Sequence, residues 1–141
     1  MQTNEPQNDN YNGLNAHSKE SSEFPLMVNC ADKLTINHPF LTYNKIGRLD
    51  YYLLYMTKGS LKVRLNGETK RMCAGDFIIF PPKFKYWYAL EESSEMSYFF
   101  VHFTGSHVTE YLRALKISQN PEIRHVRSGE ELSLAISSFL I

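Results

Sequence analysis

The chain has 141 residues, 43% of them hydrophobic and 21% charged, with 15 Lys and Arg balancing 15 Asp and Glu. One domain fits that length and can bury a core without disulfides or a metal, and the balanced charge excludes the basic face of a domain that grips nucleic acid by itself. No apolar run approaches the roughly 18 residues of a membrane-spanning helix, and the first residues lack a basic-then-apolar leader pattern, so the expected location is the cytoplasm.

Residues 1–23 carry only Tyr11 and Leu14 as sizeable apolar groups. Burial within such a segment cannot offset its ordering entropy, and a flexible N-terminal arm is expected. From Phe24 the character changes. The nine Phe, nine Tyr and one Trp lie mostly between Phe40 and Phe103, as suits pleated, half-buried surfaces. Short apolar and aromatic runs alternate with turn signals, the pattern of an all-β sandwich or barrel.

Tyr51 to Met56 reads as one strand, closed by Lys58-Gly59. Leu61, Val63 and Leu65 alternate with Lys62 and Arg64, a period of two with one buried face. Asn66-Gly67 follows, a strong hairpin signal because both central residues of a type I′ turn need positive φ. A return strand runs to about Met72, Ala74-Gly75-Asp76 turns the chain, and Phe77 to Phe80 reads as a strand buried on both faces. Pro81-Pro82 stops it, since neither proline can donate to a ladder. Phe84 to Leu90 and Met96 to Phe103 are the last two expected strands, joined by the polar loop Glu91 to Glu95. Cys30 and Cys73 have neither a CxxC spacing nor the density of a secreted scaffold; free thiols are the reading, one structural disulfide the alternative.

After Gly105 the period becomes helical. Val108, Tyr111, Leu112 and Leu115 fall at i, i+3, i+4 and i+7. Ser128 and Glu131 form a capping box, and Leu132, Ala135, Ile136, Phe139 and Leu140 make a second apolar stripe. No Gly, Asn or Pro closes that stripe, so the chain is expected to be the N-terminal piece of a longer protein. Three parts result: a flexible arm over 1–23, a barrel over 24–105, and a helical dimerisation or linker segment over 106–141.

Arg48, Asp50 and the run Tyr51 to Tyr55, then Gly59, Asn66-Gly67, Gly75-Asp76, Pro81-Pro82, and finally Tyr98, Phe100, His102, Phe103 and Gly105 occur in a set order. That order resembles the arabinose-binding-type domain of AraC-family transcription regulators, over about residues 24–140. The resemblance implies a mainly β fold: a cupin or jelly-roll β-barrel followed by C-terminal α-helices, with the DNA-binding module beyond this stretch. It also implies a small-molecule effector, a homodimer, and DNA contact only through the missing domain. The glycines and the proline pair serve the turns and say little about the ligand.

Metal-dependent cupins place a His-x-His and a Glu on one strand and another His about four residues past the proline pair, because a metal needs imidazole and carboxylate groups converging on one site. Residues 41–55 contain no His or Glu, the later position is Tyr86, and His17, His38, His102, His107 and His125 are scattered. No metal, cofactor or catalytic residue is therefore expected. A metal-independent cupin enzyme of the sugar isomerase or epimerase type is the alternative, and it would need an acid–base pair where the sequence offers only His102 near Tyr98.

Alternation puts Tyr86 and Tyr88 on one face, and Tyr98, Phe100 and His102 on one face of the next strand. By resemblance Tyr86 takes the inward place of the lost metal ligand, and positions matching Tyr88, Tyr98 and Phe100 touch the ligand in the sugar-binding member of the family. His and Trp stand there in place of this chain's Tyr98 and Phe100, so a sugar other than arabinose is expected, with a fatty or aromatic effector as the alternative. Arg48 either orients a polar or anionic ligand or pairs with Asp50 or a surface carboxylate. The expected ligand set is Arg48, Tyr86, Tyr88, Tyr98, Phe100 and His102; the competing reading is a barrel filled by its own side chains. Leu132, Ile136, Phe139 and Leu140 are expected to carry dimerisation, unless they pack back on the barrel. Ligand binding would order the N-terminal arm or shift the helices after Gly105.

Overall fold

Alternating runs bounded by Gly, Asn-Gly and Pro-Pro become strands, because each buries one row of side chains and each stop denies the ladder a partner. The computed structural model describes residues 15, 17–92 and 94–126. Among these are β1 (Met27–Ile36), β2 (Phe40–Asn44), β3 (Tyr51–Lys58), β4 (Ser60–Leu65), β5 (Glu68–Cys73), β6 (Asp76–Phe80), β7 (Tyr86–Leu90), β8 (Met96–Thr104), helix α1 (Val108–Ala114) and β9 (Arg124–His125).

Two antiparallel sheets face each other, one in the order β1-β8-β3-β6-β9 and the other β2-β7-β4-β5. The chain is mainly β, a jelly-roll barrel of the cupin kind. Register decides what lies inside. Tyr52 stands opposite His102, Leu54 opposite Phe100 and Met56 opposite Tyr98. These join Leu61, Val63, Leu65, Tyr86 and Tyr88 from the other strands in one buried cluster between the sheets.

The back of the five-stranded sheet is covered in part. Val108 and Leu112 of α1 pack on Tyr51, and Val126 packs near Tyr55 and Phe99. Only half of the expected helical stripe is buried, since Tyr111 and Leu115 are exposed. The second expected helix, with its capping box and the dimerisation residues Leu132, Ile136, Phe139 and Leu140, lies outside the described residues.

Several elements differ from the sequence reading. β1 and β2 were legible only as general β character, because β1 is an edge strand whose exposed Asp32, Lys33, Leu34 and Thr35 blur the alternation. β7 begins at Tyr86 rather than Phe84, since the chain is still turning there and the Phe84 N–H donates to the Pro81 carbonyl. β8 is not the last strand: the two-residue β9 pairs with Asp76 and Phe77 of β6, and two residues carry no readable period. In the stretch expected to be a flexible arm, the Leu49 N–H donates to Ser18 Oγ at 2.8 Å, and the Ser21 N–H to Thr104 Oγ1 at 3.3 Å. Cys30 and Cys73 are free thiols on different sheets. Among the described residues no helix is long and apolar enough to cross a membrane.

Gly47 sets up the loop that carries Arg48. Its φ is +73°, and a Cβ there would lie 2.5 Å from the backbone N and O of Phe84. Gly67 has a similar φ of +80° but open space around it. Gly67→Ala should therefore cost about 1 kcal/mol, the left-handed penalty alone, and Gly47→Ala about 2–4 kcal/mol because backbone must also move. Urea midpoints of the two variants compare them directly; equal losses would mean the Gly47 contact is not close.

Candidate ligand site

Between β2 and β3 the chain turns inward and buries a charge. Arg48 is 3% exposed and Asp50 0%. Burying either ion alone is costly, and each answers the other: Arg48 Nε lies 2.7 Å from Asp50 Oδ1, and its Nη2 lies 3.2 Å from Oδ2. A third donor comes from β1. The bulge between Val28 and Cys30 turns Asn29 so that its Nδ2 donates to Asp50 Oδ2 at 2.8 Å, a re-aiming that bulges commonly serve. Asn44, fully buried, donates from Nδ2 to the Tyr86 hydroxyl at 3.1 Å and accepts the Gly47 N–H on Oδ1 at 2.9 Å. The arm reaches this end too, where Asn15 Oδ1 accepts from Asn44 at 3.2 Å and the Lys19 carbonyl accepts from Asn29 at 3.0 Å.

Beside that polar end lies an aromatic interior with Tyr52 at its centre. The Tyr52 ring centroid is 4.6 Å from that of His102, 5.4 Å from Tyr86, 5.7 Å from Phe80, 6.3 Å from Tyr88 and 6.4 Å from Phe100. Offset and tilted contacts of this sort are the favourable ones for aromatic faces. The Tyr52 and Tyr88 hydroxyls share a hydrogen bond of 2.9 Å. Tyr98 meets Tyr88 edge-on at 6.3 Å and Phe100 at 6.4 Å.

Burial keeps this interior uncharged. Desolvation pushes the hydroxyls of Tyr52, Tyr86, Tyr88 and Tyr98 above their ordinary value, so all four are protonated donors at neutral pH. Desolvation, with the Arg48 charge second, lowers His102 from 6.5 to about 3. Its ring is therefore neutral, and its buried Nδ1 has no hydrogen-bond partner among the described residues. An orphan of that kind costs about 1–3 kcal/mol until something pairs with it.

The structure thus brings Tyr86, Tyr88, Tyr98, Phe100 and His102 into one cluster, with Arg48 close enough to act on the charge states of His102 and both Tyr86 and Tyr88. Arg48 takes the second of its two expected roles, pairing with Asp50. Sequence reading missed Tyr52 and Asn44. Tyr51-Tyr52 offers two identical residues to two faces, and only the parity shared with Leu54 and Met56 marks Tyr52 as inward. The donor set does not suit a cupin metal: the inner face offers phenols and one imidazole, Asp50 is held by Arg48, and among the described residues no three His, Cys, Asp or Glu side chains group as a metal site.

Residues 39–140 match the family model of the AraC-like ligand binding domain. The chain belongs to this family. No curated protein matches its sequence. In fold it is similar to an unliganded lysine-to-alanine variant of ToxT from Vibrio cholerae strain SCE256, with 12% identity, 85% of this chain and 49% of that chain covered, and a TM-score of 0.59. Wild-type ToxT of that strain with an unsaturated fatty acid bound gives 10% identity, 82% and 46% coverage, and 0.51. YhaK from Escherichia coli gives 7% identity, 72% and 44% coverage, and 0.51. The chain spans about half the length of the ToxT chains it matches. As an AraC-like ligand-binding domain it is a regulatory module for a small-molecule effector, built on a cupin barrel.

His102 makes the stability of this domain depend on pH. Below pH 6.5 the unfolded chain binds a proton that the folded chain refuses until about pH 3. The His102 contribution is therefore complete above pH 6.5 and is lost as the pH falls towards 3, at up to about 1.4 kcal/mol per pH unit. Denaturant unfolding at pH 7, 5 and 4 should show wild type losing more stability on acidification than His102→Gln. Parallel losses would mean that His102 protonates freely in the folded state.

Proposed function

We propose that this domain senses a small neutral molecule, a sugar first, held among Arg48, Tyr86, Tyr88, Tyr98, Phe100 and His102, without metal or catalysis, in a cytoplasmic transcription regulator. The observation that carries the reading is the uncharged ring of hydroxyls and aromatic faces around His102 Nδ1, a buried polar atom without a partner among the described residues. Sugars need flat apolar faces for their C–H surfaces and neutral donors and acceptors for their hydroxyls, and such a lining supplies both. The rings of Tyr52, Tyr86, Phe100 and His102 now cover one another, so an effector must part them. Phe100, only partly buried and opposite exposed Asp32 of β1, is the natural ring to yield.

A fatty effector is the second reading, favoured by the apolar members of the interior and by the unsaturated fatty acid in one ToxT structure. It ranks second because a carboxylate would find no uncommitted cation: His102 is neutral and Arg48 is engaged by Asp50. What counts against the enzyme alternative is that His102 Nδ1 has no hydrogen-bond partner among the described residues. In the complete regulator, Asn15, Ser18 and Lys19, bonded at the polar end of the barrel, give the effector a way to act on the arm, and a further domain binds DNA. A ligand achieves this only by distinguishing two states of the domain. Two copies associate through Leu132, Ile136, Phe139 and Leu140. The supporting feature is an apolar groove of about 310 Å³ behind β3 and β8, bordered by Leu53, Val101, Phe103, Tyr111 and Leu115.

A thermal-shift panel of neutral sugars and unsaturated fatty acids tests the effector. A ligand at about 100 times its Kd should stabilise the fold by about 2.7 kcal/mol, roughly 5–10 °C in Tm. Tyr98→Phe should shrink that shift. Tyr88→Phe should do so while also costing about 1 kcal/mol without ligand, because Tyr52 loses its hydroxyl partner. A response to fatty acids alone would reverse the order of the two readings, and shifts untouched by either variant would leave these tyrosines as packing only.

Light scattering on the 141-residue chain tests association. The expected species is a dimer that Leu132→Glu or Ile136→Glu weakens, and that does not retard duplex DNA at physiological salt. A stable monomer, or specific DNA binding by this chain, would overturn the division of labour.

A further inference from the structure

The outer face of the four-stranded sheet carries a concavity of about 690 Å³ that shares no lining residue with the proposed effector site. It crosses all four strands. Tyr43 of β2 and Trp87 of β7 stand side by side in register, Arg64 of β4 and Thr69 of β5 continue the row, and Phe84 and Lys85 form the near wall. The Arg64 guanidinium lies 4.2 Å above the Trp87 ring. A guanidinium stacked in this way is held in place while its N–H groups stay free to meet an anion. Lys85 adds a second exposed cation, and among the described residues no carboxylate lines the concavity. The neighbouring Lys62 differs, being paired with Glu91.

We propose that this surface receives the chain's own N-terminal segment, residues 1–14. Three observations select that occupant. The described chain begins at Asn15, hydrogen-bonded to Asn44, the residue after Tyr43 and the register partner of Tyr86, which follows Lys85. The upstream segment MQTNEPQNDNYNGL holds Glu5 and Asp9 and no Lys or Arg, the complement of Arg64 and Lys85. It also holds Tyr11, an aromatic ring for the Tyr43, Phe84 and Trp87 wall. Reach is ample: 14 extended residues cover up to about 45–50 Å, and four strands side by side span about 15 Å. Exposed ion pairs contribute little each, so the segment binds weakly and reversibly, with its aromatic contact as the larger part. Docked there, it anchors Asn15, Ser18 and Lys19 at the polar end of the barrel.

Trp87 is the only tryptophan of the chain, so its fluorescence reads this surface directly. The test compares acrylamide quenching of the full 141-residue chain with that of a variant lacking residues 2–14. The full chain should be quenched less, and a synthetic peptide of residues 1–14 added to the shortened chain should restore the protection. Raising the salt from about 0.1 M to about 1 M shortens the Debye length from about 10 Å to about 3 Å and should remove much of the difference. Glu5→Gln with Asp9→Asn, a change that leaves the folded domain untouched, should lower the protection as salt does. Arg64→Glu with Lys85→Glu should abolish it, and Glu5→Lys with Asp9→Lys should restore it in that background. Each pair is compared with and without residues 2–14, so the loss of the guanidinium over Trp87 cancels. Equal quenching of the full and shortened chains, indifference to the charge variants, or protection that rises with protein concentration and so comes from a second copy would each overturn the proposal.

Discussion

A side chain on a strand can face only one of two ways, and every property of this domain follows from how that choice falls along β3, β7 and β8. In β3, Tyr52, Leu54 and Met56 face inward while Tyr51, Leu53 and Tyr55 face the back of the sheet. A slip of one residue would carry the whole inward row outward. Both rows of β3 are apolar or aromatic because both are covered, the inner by the opposing sheet and the outer by α1 and Val126. One strand therefore touches the aromatic interior on one side and the apolar groove on the other, with no intermediary between Tyr52 and Leu53 except the backbone.

The second constraint is the cost of charge in that interior. Arg48 and Asp50 survive burial because each satisfies the other and Asn29 completes the carboxylate. Among the described residues nothing else inside is ionised: burial keeps four phenols protonated, and burial with the Arg48 charge keeps His102 neutral. Neutral hydroxyls and rings of β7 point in, while Trp87 of the same strand points out beneath the Arg64 cation. The inward phenols and the outward Trp87–Arg64 pair thus occupy opposite faces of one sheet, one residue apart in sequence.

Much of this was legible before any coordinates. Gly59, Asn66-Gly67, Gly75-Asp76 and Pro81-Pro82 punctuate the chain where the structure turns, because positive φ and a missing N–H are demands that few residues meet. The parity of Tyr86 with Tyr88, and of Tyr98 with Phe100 and His102, is a property of the strand itself. What failed was whatever lacked a local signature. β1 is long but half exposed, so its alternation is diluted by Asp32 and Lys33, and β9 is two residues held by the Val126 N–H on the Gly75 carbonyl and by its pairing with β6. Tyr52 could not be told from Tyr51 without knowing which side of the sheet was the barrel.

The sequence by itself determined the class of fold, the positions of most turns, and which residues share a face, since all of these arise from interactions within a few residues along the chain. Only the tertiary structure decided that Tyr52 stands at the centre, that Asn29 meets Asp50 and Asn44 meets Tyr86, and that His102 Nδ1 is left without a partner among the described residues. Those outcomes depend on which side chains meet across the two sheets, from positions as far apart as 52 and 102. No local preference encodes such a meeting; it is set by the register and closure of the barrel as a whole.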